Sequence, residues 1–159
     1  MIEPTHLLQL VIRPVLRDLG LWSGAAEQLV LGTACQESQC GRYLVQLGGV
    51  KEGGLGIYQC EPATHEDIFV NFLANRPELE AKVCNLSVSK TYDDDLIGNL
   101  YYATAICRIH YLRDRAPIPS YLAAQAEYWK RVYNTEQGKG TVQQYMSNWN
   151  KFVVNSVFV

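Results

Sequence analysis

Hydrophobic residues recur at helical spacing along most of the chain, and this pattern predicts a mainly α fold. Two amphipathic stripes are the clearest, and one lies near each end of the sequence. The N-terminal stripe consists of Leu7, Leu8, Val11, Ile12, Val15, Leu16 and Leu19, with Pro14 as a kink or restart. The C-terminal stripe consists of Val142, Tyr145, Met146, Trp149, Phe152 and Val153. Three more helices are predicted, from Pro62 to about Leu73, from Asp93–Asp95 to Tyr111, and from Ser120 to Tyr133.

The segment 29–38 differs from these stripes because nearly all of its positions are apolar. A helix that is apolar all round is typical of the buried centre of a domain, and Ser23 is a suitable N-cap for it. Glu37 lies near the end of this helix, on the same face as Val30 and Ala34. We therefore expect the carboxyl group to point inward.

An inward-facing Glu37 has a predictable electrostatic consequence. Burial disfavours the ionised form and raises the pKa of a carboxyl group. The negative end of the helix dipole acts in the same direction, because Gly41 is a suitable helix stop. The sequence thus predicts an acid that remains protonated near neutral pH and can serve as a proton donor. The alternative is a solvated surface glutamate, which is the commoner environment of this residue type.

Four short motifs follow one another within residues 24–145. Their residues, in chain order, are Glu37-Ser38; Gly53-Gly54-Leu55-Gly56-Ile57-Tyr58-Gln59-Cys60-Glu61-Pro62-Ala63-Thr64; Asp95, Asn99 and Ala103; and Val132-Tyr133-Asn134 with Val142 and Tyr145 downstream. Each motif alone is common in unrelated turns and helices. Together, in this order, they resemble the motifs of the soluble lytic transglycosylase family.

The resemblance implies one lysozyme-like domain over residues 1–159, with a buried central helix and at most a small β-hairpin near residues 47–60. It also implies cleavage of the MurNAc–GlcNAc β-1,4 bond of peptidoglycan. In that family one glutamate, here Glu37, protonates the leaving oxygen and then takes the proton of the C6 hydroxyl, which gives a 1,6-anhydro-MurNAc end.

The same resemblance assigns roles to four residues around the acid. Gln59 orients the sugar N-acetyl group or the acid, because an amide both donates and accepts hydrogen bonds. The hydroxyl of Tyr133 lies against Glu37 and fixes its rotamer, and Asn134 shapes the same wall. Ser38 binds the peptide-bearing substrate or caps the helix end.

Further residues extend this predicted cleft. Gly56 lets the backbone approach the saccharide closely. Tyr58 stacks on a sugar ring, and Trp129 either does the same or packs in the core. Glu61 and Glu52 are close enough in sequence to act as a second carboxylate, although a helix-dipole role for Glu61 and solvation of Glu52 are the simpler interpretations.

Charge and cysteine content exclude several classes of protein. The net charge is −2 without a basic cluster, so nucleic acid is not an expected partner. The five cysteines lack C-x-x-C spacing and are expected to be free thiols. A disulfide between Cys35 and Cys40 is conceivable, but helical geometry over that span usually holds the sulfur atoms apart. His65 and His110 have no ligand set around them, so neither a metal nor another cofactor is predicted.

The N-terminus lacks the positively charged region of a signal peptide, and its apolar stretch is too interrupted for a membrane span. For a wall-degrading enzyme we therefore expect a bacteriophage origin: synthesis in the host cytoplasm, then carriage in the virion or release through a holin. Peptidoglycan glycan strands are the expected partner. The C-terminal stripe either closes the core or docks to phage tail or virion proteins.

Two alternatives to a transglycosylase remain open. A muramidase would cleave the same bond with water. A non-catalytic virion or baseplate protein would keep the fold for binding or assembly, although buried polar groups such as Glu37 lower stability without serving such a role.

Overall fold

The structure is a computed structural model and describes residues 1–45, 53–135 and 138–154. Within these ranges the chain forms eight helices and almost no strand, which confirms the mainly α prediction. The helices are α1, residues 4–18; α2, Gly24–Ser38; α3, residues 62–75; α4, Pro77–Leu86; α5, Tyr92–Gly98; α6, Leu100–Leu112; α7, residues 122–134; and α8, residues 142–154.

Four of these helices contain a π-helical segment. The segments are Leu7–Ile12 in α1, Ile68–Phe72 in α3, Lys130–Asn134 in α7 and Asn150–Val154 in α8, and α3 ends in the 3-10 turn Leu73–Asn75. In α1 the π segment gives way at Arg13 to an α-helical segment that contains Pro14, which has no backbone N–H to donate to the preceding turn. The segment in α7 matters most, because π turns are frequent at functional sites and this one borders the cleft described below.

Helix α2 is the buried centre of the molecule, as its composition predicts. The Ser23 hydroxyl accepts a hydrogen bond from the amide of Ala26 at 3.0 Å, so Ser23 is the N-cap. The helix packs against α1, α6, α7 and α8. It ends at Ser38 because Gln39 takes the left-handed conformation (φ 52°), two residues before the predicted stop at Gly41.

The same turn corrects the expectation for Cys35 and Cys40. Both Gln39 and Cys40 have positive φ (52° and 55°), so the chain folds back on the end of α2. The two buried sulfur atoms then lie 2.8 Å apart. The expectation that they are held apart was wrong because Cys40 lies beyond the helix.

The helix predicted from the aspartates 93–95 to Tyr111 is two helices. The Thr91 side chain caps α5, and the Asn99 carboxamide oxygen accepts from the amide of Tyr102 at 3.1 Å to cap α6. Asp95 is buried and accepts a 2.5 Å hydrogen bond from the Ser87 hydroxyl. These caps hold the start of α6 against the end of α4.

The predicted β-hairpin is only partly covered by the described residues. Where residues 53–60 are described, pairing is limited to isolated antiparallel bridges, Val45 with Leu55 and Leu55 with Cys60. Residues 47–52 of the predicted hairpin lie outside the described residues.

The C-terminal stripe packs on the core. Tyr145 and Phe152 of α8 are buried, and the Tyr145 hydroxyl lies so close to Gly32 of α2 that a Cβ there would be 2.0 Å away. The face of α8 that carries Tyr145 and Phe152 therefore packs on the core. Within the part of the chain that is described, no helix has both the length and the apolar character needed to cross a membrane.

Candidate active site

A cleft of about 690 Å³ opens at the C-terminal end of α2. It is lined by residues of α2, α3, α6 and α7 and of the two connecting segments around residues 54–61 and 138–140. The lining residues are Gln36, Glu37, Gly54, Gln59, Cys60, Glu61, Thr64, His110, Arg113, Val132, Tyr133, Asn134, Thr135, Gly138, Lys139 and Gly140. The cleft thus brings together Glu37, Gln59, Tyr133 and Asn134, which the sequence analysis assigns to one site.

Glu37 is the acid of this cleft. Its side chain is partly exposed on the cleft wall, and its Oε1 accepts a 2.8 Å hydrogen bond from the indole Nε1 of Trp129. Burial raises the pKa of Glu37 to about 7, although the indole N–H favours the charged form and limits the rise. Among the described residues no cation forms an ion pair with it. A large fraction of Glu37 is therefore protonated at neutral pH.

The partner of Glu37 is not the one predicted. The Tyr133 hydroxyl donates to the backbone carbonyl of Tyr58 at 2.8 Å, and its ring stacks between His110 and Tyr111 with centroid distances of 4.4 and 5.3 Å. The prediction that this hydroxyl fixes Glu37 was wrong. Trp129, fully buried, supplies that hydrogen bond from the same helix.

Gln59 also lines the cleft, in a strained backbone conformation. Its φ is 48°, a left-handed value that is uncommon for residues other than glycine and is often found at functional sites. Its Nε2 donates one of its two N–H groups to the carbonyl of Gly56 at 2.8 Å, so the amide retains a second N–H donor and the Oε1 acceptor. Gly54 permits this arrangement, because a Cβ there would lie 2.4 Å from the Gln59 carbonyl oxygen.

Gly56 and Tyr58 support the cleft and do not line it. Gly56 has φ 72°, and a Cβ there would lie 1.7 Å from the carbonyl oxygen of Leu96, so the close approach is to α5 and not to a saccharide. Tyr58 is 1% exposed and its hydroxyl shares a 2.9 Å hydrogen bond with that of Thr104. The sugar contacts predicted for these two residues do not fit these positions, because neither residue reaches the cleft surface.

Ser38 has the second of its two predicted roles, at the helix end. Its buried hydroxyl donates to the carbonyl of Ile57 at 2.6 Å and accepts from the amide of Gly41 at 2.8 Å. It therefore ties the end of α2 to the turn that carries Gln59. Because Tyr58 in this turn also bonds to Tyr133, hydrogen bonds connect three of the sequence motifs directly.

Asn134 lines the cleft next to Tyr133. Its Oδ1 accepts from Lys130 Nζ at 2.7 Å, and the same ammonium group donates to the carbonyl of Gly138 at 2.7 Å. Lys130 thus joins the end of α7 to the segment that follows it. Thr135, the next lining residue, has φ 65° and turns the chain out of the helix.

A second carboxyl group lines the same cleft. Glu61 is exposed at the N-cap of α3, and its side chain makes no capping hydrogen bond. It is therefore available to the cleft, whereas the other candidate, Glu52, lies outside the described residues. The position of Glu61 directly before Pro62 also agrees with the simpler interpretation, in which its charge interacts favourably with the dipole of α3.

Two cleft residues were missed by the sequence analysis as site residues. Burial lowers the pKa of His110 to about 4, with the positive charge of Arg113 acting in the same direction, so His110 is neutral at pH 7. Within the described part of the chain, the buried Nδ1 of His110 and Nε of Arg113 have no hydrogen-bond partner, while the Arg113 guanidinium pairs with Asp67. Their three-residue spacing on α6 is the signal that could have shown a shared face.

No protein-family model matches the chain, and neither a curated protein nor a solved structure matches it significantly. Across residues 1–45, 53–135 and 138–154, no three His, Cys, Asp or Glu side chains converge as a metal site requires. What indicates a function is therefore the chemistry of the cleft together with the order of the sequence motifs.

Proposed function

We propose that this protein is a peptidoglycan lytic transglycosylase of lysozyme-like fold, with Glu37 as its catalytic acid and then its base. One observation carries the proposal: a carboxyl group with a pKa of about 7 lies on the wall of a cleft that also contains Gln59, Tyr133 and Asn134. A group with this pKa can give a proton and take one back at neutral pH. The setting we propose is a bacteriophage enzyme that acts on the host wall.

The reaction needs no second reactant. Glu37 gives its proton to the bridging oxygen as the bond from C1 of MurNAc breaks and positive charge develops on the ring. The resulting carboxylate then takes the proton of the C6 hydroxyl, whose oxygen bonds to C1. One C–O bond breaks, one forms, and Glu37 ends protonated as it began.

Gln59 suits the recognition of an N-acetyl sugar. One N–H of its Nε2 is bonded to Gly56, and its Oε1 can accept a hydrogen bond from the N–H of an acetamido group. The bonds of Ser38 to Ile57 and of Tyr133 to Tyr58 hold this turn on both sides. Such support keeps the acceptor at a fixed position relative to Glu37.

A muramidase is the second candidate, and the position of Glu61 favours it. A hydrolase of the inverting type uses a second carboxylate to activate water on the other face of the sugar. Glu61 lines the same cleft as Glu37 and is free of capping hydrogen bonds.

Mass spectrometry of purified sacculi digested with the protein separates the two candidates. The transglycosylase predicts glycan ends of 1,6-anhydro-MurNAc, one water lighter than reducing ends, and a Glu61→Gln variant that still makes them. Exclusively reducing ends, together with loss of cleavage in Glu61→Gln, would establish the muramidase. A wild-type protein that leaves sacculi intact would instead support the non-catalytic virion or baseplate alternative.

A further inference from the structure

Trp129 is held in one orientation by its surroundings. Its side chain is fully buried, and its ring contacts that of Tyr145 with centroids 5.4 Å apart. On the other side, a Cβ at Gly140 would lie 2.6 Å from the indole Cη2 atom. The indole therefore has no room to turn, and its N–H direction is fixed by packing.

An indole N–H can only donate a hydrogen bond. Since Trp129 Nε1 lies 2.8 Å from Glu37 Oε1, Oε1 is the acceptor oxygen in both charge states of the acid. The proton of the neutral acid is then on Oε2. Trp129 reaches Glu37 from the last position of the α-helical part of α7, directly before the π turn that carries Tyr133 into the cleft wall.

We propose that Trp129 is a positioning residue for Glu37: its indole N–H holds Oε1 and thereby presents Oε2 as the oxygen that exchanges the proton with the substrate. This inference deepens the proposed function and rests on it. Trp129 itself touches no substrate, because it is buried beneath the cleft surface.

The other titratable groups near Glu37 do not change charge around neutral pH. Glu37 acts electrostatically on four of them, Cys107, Tyr111, Tyr133 and Tyr145, and burial raises the pKa of each. On the cleft wall, His110 has a pKa of about 4. A titration near pH 7 at this site therefore reports on Glu37.

The chain provides a matched control for Trp129. The indole Nε1 of Trp22 donates at 2.8 Å to Oε2 of Glu27, which lies on α2 as Glu37 does, and neither Trp22 nor Glu27 lines the cleft. Trp129→Phe and Trp22→Phe each remove one indole donor to a glutamate and keep an aromatic ring. Only the first should affect Glu37.

The first test is a carbon-13 NMR titration of the Glu37 carboxyl group, which does not depend on enzymatic activity. Trp129→Phe removes the bond that favours the charged form, so the pKa of Glu37 should rise by about one unit, a shift typical of one hydrogen bond to a charged group. Trp22→Phe should leave it unchanged. An unchanged Glu37 titration in Trp129→Phe would overturn the proposal.

A second measurement needs no change at Trp129 and covers the case in which Trp129→Phe does not fold. In the wild type, the indole nitrogen-15 and proton resonances of Trp129 should shift with the Glu37 titration near pH 7. In Glu37→Gln they should not depend on pH in this range. Indole resonances that are already constant from pH 5 to 9 in the wild type, about two units either side of the Glu37 pKa, would contradict a bond to Glu37.

Cleavage of sacculi then tests whether the positioning serves the reaction. Loss of activity at alkaline pH should occur about one unit higher in Trp129→Phe than in the wild type, with a maximal rate about tenfold lower. An unshifted alkaline limb alongside a shifted Glu37 titration would overturn the role in proton transfer. If the wild type cleaves nothing while both NMR results hold, the proposed function fails but the Trp129–Glu37 coupling stands.

Discussion

Helix α2 carries a glutamate near each end, and each carboxyl group accepts a 2.8 Å hydrogen bond from a tryptophan indole. Glu27 also receives two hydrogen bonds from the guanidinium of Arg13, at 2.7 and 2.8 Å, and these hold its pKa below the usual value. Among the described residues no cation pairs with Glu37, and burial raises its pKa to about 7. Two similar local contacts thus accompany carboxyl groups whose pKa values are shifted in opposite directions.

The difference shows that an indole hydrogen bond does not by itself keep a carboxylate charged. At Glu27 the bonds from Arg13 and the helix N-terminus add to it, whereas at the C-terminal end of α2 the dipole opposes a negative charge. Burial is then the largest effect at Glu37. The protein has one glutamate suited to stabilise the fold and one suited to exchange a proton.

The largest expected effect concerns cleavage. Glu37→Gln keeps the volume and the acceptor for Trp129 but has no proton to give, so cleavage of sacculi should fall by about 10² to 10⁴-fold. Glu27→Gln, the matched change at the other end of α2, should cleave like the wild type. Equal cleavage by Glu37→Gln and the wild type in zymography would remove Glu37 from the mechanism.

The second prediction concerns stability, on which the changes at Glu37 and at Glu27 should have opposite effects. Since the folded-state pKa of Glu37 is about 7 against 4.5 for the free group, the folded protein retains a proton that the unfolded chain loses between these values. The free energy of unfolding should therefore decrease as pH rises from about 4.5 to 7, by about 3 kcal/mol at most. Glu37→Gln removes this loss and should be more stable than the wild type at pH 8.

Urea unfolding at pH 5 and pH 8 measures this effect, with Glu27→Gln as the control. The depressed pKa of Glu27 gives the opposite sign: its charge stabilises the fold at neutral pH, and this contribution is lost as pH falls through its folded-state pKa. Glu27→Gln should therefore be less stable than the wild type at pH 8. Destabilisation by both changes at pH 8 would mean that folding does not raise the pKa of Glu37.

Sequence reasoning identified Glu37 because the relevant signals are local. Helical periodicity shows which face is buried, and Ser23 marks the start of α2. The bond from Trp129 could not be predicted, since it spans 92 residues and depends on the direction of one N–H. Apolar surroundings indicated only that Trp129 belongs to the core.

The helices were predicted where their apolar stripes are strong. Helix α4 was missed because Val83 is its only fully buried residue, although Pro77 and the acidic residues that follow are typical of a helix start. The break between α5 and α6 was missed because Asn99 looks like an ordinary helical position until its side chain is seen to cap α6. Gly56 indicated that the backbone passes close to another part of the structure, but the sequence did not identify Leu96 as that neighbour.

The third prediction compares a substitution that disturbs the indole of Trp129 with one that leaves the indole of Trp22 undisturbed. In Gly140→Ala the new Cβ would lie 2.6 Å from the buried Trp129 ring, so the indole or the segment around residue 140 must shift. We expect a loss of about 1–3 kcal/mol in the free energy of unfolding and slower cleavage. Gly24→Ala, at the start of α2 near Trp22, meets no atom within 4 Å and is the matched control. Equal cleavage rates for both variants would show that the orientation of Trp129 is unimportant.

The smallest expected effect is a rise in the pKa of Glu27 toward that of Glu37. Arg13→Gln removes the hydrogen bonds and the positive charge that most depress the pKa of Glu27, while Trp22 remains as a donor. In a carbon-13 carboxyl titration the pKa of Glu27 should rise, yet stay well below that of Glu37, because Glu27 is less buried and Arg17 also favours its charged form. The Glu37 titration should not move. If the pKa of Glu27 stays fixed, the Trp22 indole and not the Arg13 guanidinium controls the charge of this glutamate. The difference in pKa between the two ends of α2 would then need another cause.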